Sequence, residues 1–264
     1  MYFSYKNTLV HYRIKGALNE LPVLLIHGFT ENSRMWKPVY KNLDANPYLI
    51  PDLLGHGKSG LTGDVLTMEE QAEMLRTLLD FQGISRAVLV GHSMGGYIAL
   101  AFAEMFPGRT AGLVLLNSHP FADGEAKARA RDLAIRKAET GKIAFLSEAI
   151  PSFFAPYNRE KHREAIAKLI RQAARMPVRG ITGALAGMKL RKDRSKLFFA
   201  PADYPTGWII GRHDPLIDAG AFEKHAATHP HLFFRILPHG HMSYVENPGE
   251  LTQALNDFFQ TLNP

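Results

Sequence analysis

Apolar residues in this chain gather into two kinds of stretch. Short runs without alternation occur at 23–26, 48–50, 87–90, 113–116 and 208–210, each ending near Gly, Pro, Asp or Ser, and 232–237 is another candidate. Runs of that length and character predict strands buried on both faces, as in a parallel sheet. Between them the apolar positions recur at helical spacing. The stretch 67–80 opens on Thr67 with Glu70 three residues later, a capping signal. A second helix is predicted over 94–106, stopping before Pro107-Gly108. A third closes the chain over 249–262, with Leu251, Leu255, Phe258 and Phe259 on one face. Strands alternating with helices predict an α/β fold with a mostly parallel central sheet flanked by helices. Residues 2–6 and 9–15 read as an antiparallel pair around Asn7-Thr8.

The alternation breaks after Asn117. Residues 119–200 read as helices at 123–140, 142–150, 159–175 and 177–188, and strand order resumes near Thr206. The expected organisation is a core of residues 1–118 and 201–264 with a helical insertion, 119–200, between two strands of one sheet.

Composition narrows the chemistry. With 46% hydrophobic and 21% charged residues, the chain suits a soluble globular protein. The absence of cysteine excludes disulfides, iron–sulfur clusters, thiolate zinc sites and a cysteine nucleophile. No run of about 18 apolar residues predicts a membrane-spanning helix. Residues 1–10 lack a basic start and apolar run, so a cytoplasmic location is expected. The net charge of +6 is uneven. Residues 118–200 carry 18 basic and 8 acidic residues, a balance of +10, while the rest sums to −4. The excess therefore belongs to the helical insertion and argues against a nucleic-acid partner.

The sharpest motif is Gly91-His92-Ser93-Met94-Gly95, between a predicted strand and a predicted helix. A G-x-S-x-G in that context predicts a nucleophile elbow, with Ser93 held at a helix N-terminus. A serine hydroxyl needs a base and an orienting acid, which in this topology follow in the order serine, acid, histidine. Asp214 follows the strand at 208–210, and His239 and His241 follow the one at 232–237. Asp218, a rival acid, lies past Pro215 near a helix start. His213 reads as an exposed neighbour of the acid. The pairs His229/His231 and His239/His241 lack accompanying carboxylates at metal-ligand spacing, so no metal is expected.

The chain resembles the α/β-hydrolase fold family, in its helically capped esterase-like branch. The likeness rests on His27-Gly28-Phe29-Thr30, on 52–59 (DLLGHGKS), on the elbow, on Gly211-Arg212-His213-Asp214-Pro215, and on Gly240-His241 followed by Glu246-Asn247-Pro248. It implies Ser93, Asp214 and His241 as the catalytic set, His241 being preferred to His239. It also implies an oxyanion hole formed by the backbone N–H groups of Phe29 and Met94. Asp123 matches an alternative acid position only loosely. His27 and the 52–59 loop read as structural. The insertion becomes a cap whose Phe153, Phe154, Tyr157, Leu185, Met188 and Leu190, with Phe29 and Met242, would line a substrate pocket. Lys127, Arg129 and Arg131 read as a solvated helix face, with a minority of the cap's cations left to attract anionic esters. The implied activity is hydrolysis of small or medium carboxylic esters through an acyl-enzyme, without a cofactor. A lyase of the menaquinone-pathway type, a carbon–carbon bond hydrolase and a slowly hydrolysing receptor are the alternatives on the same fold.

Overall fold

The structure, a computed structural model, describes residues 1–18, 20–43 and 47–262. Its elements run β1 (Tyr2–Tyr5), β2 (Thr8–Lys15), β3 (Val23–Ile26), α1 (Lys37–Tyr40), β4 (Tyr48–Pro51), α2 (Met68–Phe81), β5 (Ala87–His92), α3 (Met94–Met105) and β6 (Thr110–Leu116). Then come α4 (Glu125–Ser152), α5 (Arg163–Ala173), α6 (Val178–Lys189), α7 (Ser195–Phe199), β7 (Thr206–Gly211), α8 (Ala219–Ala227), β8 (Phe233–Leu237), α9 (Ser243–Glu246) and α10 (Pro248–Gln260). Among the described residues the strands form one eight-stranded sheet in the order β1-β2-β4-β3-β5-β6-β7-β8.

From β4 to β8 every neighbouring pair is parallel; β1–β2 and β2–β4 are antiparallel. The unalternating runs end up where that pattern demands, except that β8, at the edge of the sheet, is only partly buried. Every residue of β3, β4, β5 and β7 is buried, because helices cover the sheet. Helices α2 and α3 pack on each other, and α1 packs on α10. The N-terminal pair turns at Lys6 and Asn7, both with positive φ (45° and 61°), as a two-residue hairpin with right-handed twist requires. Thr67 accepts from the Glu70 N–H at 3.1 Å, so the predicted cap starts α2.

The strand order reverses at β3. The chain passes from β3 to β4 on one side, then to β5 on the other. The loops after β3 and β5 therefore leave neighbouring strands in divergent directions, opening a crevice at the sheet's C-terminal edge. One loop carries Gly28-Phe29 and the other Ser93.

Between β6 and β7 the regular elements are helical. The break predicted at Gly141 is a kink (φ −162°, ψ 70°) inside α4 rather than a gap between helices. The short helices α1, α7 and α9 span at most five residues, too few for a hydrophobic period to register.

Candidate active site

At the end of β5 the chain turns so sharply that Ser93 adopts φ 52°, ψ −116°, a conformation that costs energy for any residue with a Cβ. The turn closes only because its flanks are glycine. A Cβ on Gly91 would overlap the Gly95 carbonyl, and one on Gly95 would overlap the Ile26 carbonyl of β3. Ser93 thus sits at the N-terminus of α3, where the helix dipole favours negative charge.

His241 Nε2 lies 2.8 Å from Ser93 Oγ, and His241 Nδ1 lies 2.7 Å from Asp214 Oδ2. A carboxylate only accepts, so Nδ1 carries the proton and Nε2 is left to accept from the serine hydroxyl. Asp214 is buried, and its other bonds hold it in place. Asn117 Nδ2 donates to Oδ2 at 3.0 Å, and the Leu216 N–H donates to Oδ1 at 2.8 Å. Asn117, at φ 45° just past β6, also donates to the Gly240 carbonyl and accepts from Ser243 Oγ. It ties the acid to the loop bearing His241.

A second buried network lies beneath. His92 Nδ1 donates to Glu31 Oε2 at 3.0 Å, and His92 Nε2 donates to the His241 carbonyl at 2.9 Å. Glu31 also accepts from the Gly28 N–H at 2.6 Å. Burial alone would discharge both groups. The His92 imidazolium nevertheless holds the Glu31 carboxyl below its usual range, and Glu31 holds His92 above its own. One ion pair therefore joins the loop after β3, the elbow and the histidine loop. The Phe29 and Met94 N–H groups have no acceptor among the described residues.

The other histidines and acids are committed elsewhere. His27 donates through Nδ1 to the Gly28 carbonyl and accepts at Nε2 from the Leu53 N–H, bracing one loop against the next. Asp52 accepts from the Ser33 and Lys58 N–H groups and from His11. Burial lowers His56 to about 3. His239 is paired with Glu250 at 3.1 Å, and exposed His213 meets the edge of Tyr157. Asp218 caps α8. Asp123 is paired with Arg131 and Arg191.

A cavity of about 450 Å³ opens over Ser93 and His241. Phe29, Phe153, Leu185, Met188 and Met242 line it, together with Phe145 and Ala149 of α4. Three expected lining residues are absent from it. Phe154 is fully buried beside His162, whose ring lies 6.1 Å away. Tyr157 is 60% exposed, its hydroxyl donating to the Pro238 carbonyl, and Leu190 is 62% exposed. Helix α4 ends at Ser152, and the irregular chain beyond it leads through Phe153 and Phe154 into a turn at 156–158. Two expected surface cations go the other way: Lys127 and Arg131 line the cavity, while Arg129 is exposed and pairs with Glu125.

Asn117, Glu31, His92 and Lys127 carry weight here that the sequence reading did not give them. Only Asn117 and His92 had a local signal, since each lies at the C-terminal end of a strand.

A strained serine at a strand–helix turn thus meets a histidine and a buried acid where the strand order reverses. The sequence model of the alpha/beta hydrolase fold matches residues 22–248, and the chain belongs to that family. A structure of a thermophilic esterase from Thermogutta terrifontis, with malate bound, superposes at a TM-score of 0.89 with 31% identity, covering 97% of this chain and 95% of that one. The 2-succinyl-6-hydroxy-2,4-cyclohexadiene-1-carboxylate synthase of an Enterobacter species is 28% identical over 88% of this chain and 89% of its own. Lipase LipV of Mycobacterium tuberculosis is 39% identical over 115 residues, 44% of either chain, so the match spans less than half of that lipase. Fold and relatives make the protein an enzyme of the hydrolase class. Among the described residues no helix is long and apolar enough to cross a membrane.

Proposed function

We propose that the protein is a serine hydrolase of the carboxylesterase type, acting on esters of small or medium size. The observation that carries this reading is the continuous chain from Ser93 Oγ through His241 to Asp214, at 2.8 and 2.7 Å, beneath a largely apolar cavity. Ser93 attacks the ester carbonyl while His241 Nε2 takes its proton. Asp214 orients the imidazole and stabilises its cation. The N–H groups of Phe29 and Met94 receive the oxyanion, and the α3 N-terminus adds its dipole. His241 returns the proton to the leaving alcohol, then activates the water that cleaves the acyl-enzyme. Residues 119–200 serve as a helical cap on the core of residues 1–118 and 201–264. In support, the His241 N–H donates to the Phe153 carbonyl at 3.2 Å, and Asn158 Nδ2 donates to Glu246 at 2.7 Å.

Fluorophosphonate labelling of wild type and Ser93→Ala, with a panel of p-nitrophenyl esters, tests the reading. Wild type should label and turn over esters, and the variant should do neither while keeping its unfolding transition. Retained turnover in Ser93→Ala would remove the assignment. A second reading, a lyase using the same three side chains, is favoured by the similarity to the synthase along most of both chains. It predicts labelling of Ser93 without turnover of any simple ester.

A further inference from the structure

The cavity over Ser93 has a polar end that ester hydrolysis alone does not use. Lys127, Arg131 and His119 line it, and Arg191 lies behind it with its guanidinium 4.0 Å over the Tyr97 ring. Arg131 and Arg191 share one carboxylate, Asp123. Asp214 is bound to His241, Asn117 and the Leu216 N–H. That leaves Lys127, partly buried, without a hydrogen bond or ion pair among the described residues. Burial, and the charge of Arg131 beside it, lower its pKa. An unpaired ammonium drawn out of water is costly unless something else completes it.

His119 has the same deficiency. It is 8% exposed, and its Nδ1 has no partner among the described residues. Burial and the charges of Arg191 and Lys127 lower it to about 3, so the ring is neutral. The Tyr97 hydroxyl lies 3.3 Å from Nε2. If it donates there, the ring proton sits on Nδ1 as a donor without an acceptor. Arg191 Nη2 is a third buried donor without a partner. Three cations, two of them sharing the single carboxylate of Asp123, with unfilled donors among them, describe a receptor for a negative charge.

We propose that Lys127 and His119 form an anion subsite, and that the ester hydrolysed at Ser93 carries a carboxylate remote from the scissile bond. The proposal rests on the esterase reading, and the experiment separates the two. Rates are measured for two matched pairs of esters. One pair is p-nitrophenyl hydrogen adipate and p-nitrophenyl hexanoate, with the charge on the acyl side. The other is 4-acetoxybutanoate and butyl acetate, with the charge on the alcohol side. Wild type should favour the anionic member of at least one pair by about tenfold or more in kcat/KM, the scale of a hydrogen bond to a charged group. In Lys127→Met that ratio should fall about tenfold. Both esters of a pair are read on one preparation, so any loss of folded enzyme cancels from the ratio. Turnover of the neutral esters with no anionic preference in either pair, or a preference unchanged in Lys127→Met, overturns the subsite and leaves the esterase reading standing. Turnover of none of the four esters overturns both.

Discussion

A single buried pair, Glu31 with His92, holds three loops of the site in register. Its contribution to stability has a defined pH window. His92 is raised above its ordinary 6.5, so its share is complete below that value and is lost as pH rises through the raised pKa. Glu31 is lowered from 4.5, so its share is complete above that value and is lost as pH falls through the lowered one. The pair should therefore stabilise most between pH 4.5 and 6.5. Replacing Glu31 by Gln leaves a buried imidazolium without its counter-charge and should cost about 3 kcal/mol in that window. Urea unfolding across pH 5–9 measures it, and the gap to wild type should narrow toward alkaline pH. A gap independent of pH would mean that the two groups meet as neutral partners. Glu31 itself reads in the sequence as one polar residue in a loop. Its role depends on a histidine 61 residues away, a distance no local pattern spans.

At the scale of elements, the strands were legible because both faces of the sheet are covered, which forces unbroken apolar runs. The elbow was legible because steric closure forces glycine at two fixed offsets. The seating of α6 was not. Gly180, Gly183 and Gly187 lie on one face of this helix and meet the backbone at Gly55, Asp64 and Leu66. The Leu66 N–H donates to the Gly183 carbonyl at 3.0 Å, so loop and helix touch backbone to backbone. In sequence, glycines at that spacing only weaken a helix, by about 1 kcal/mol each. A Cβ on Gly187 would overlap the Leu66 carbonyl. Gly187→Ala should therefore lose about 2 kcal/mol despite its better helix propensity, the usual cost of overpacking. Met188, on the next position, should then move in the cavity and raise KM. A gain in melting temperature instead would mean that α6 is free to lift from the loop. The misplaced aromatics have a similar origin: Phe153, Phe154 and Tyr157 lie past the end of α4, where the chain is irregular and hydrophobicity does not encode which ring faces the cavity.

For the whole molecule, the net charge of +6 conceals a division between a −4 core and a +10 helical segment. Much of that segment's charge is spent in exposed pairs, such as Lys137 with Glu148 and Arg163 with Glu160, each contributing little to stability. What survives pairing is a positive balance on the segment we propose as the cap over Ser93. The field of such a balance concentrates anions near the cavity and raises their encounter rate. It reaches about 30 Å at 0.01 M salt and about 10 Å at 0.1 M. For an anionic ester, kcat/KM should therefore fall several-fold between those concentrations, while the rate for a neutral ester of equal length stays level. The dependence should persist in part when Lys127 is replaced, because one lysine supplies specificity at contact whereas the +10 segment supplies the long-range pull. Equal, flat profiles for both esters would show that the segment's cations are neutralised by their neighbours and act only as solvated helix faces.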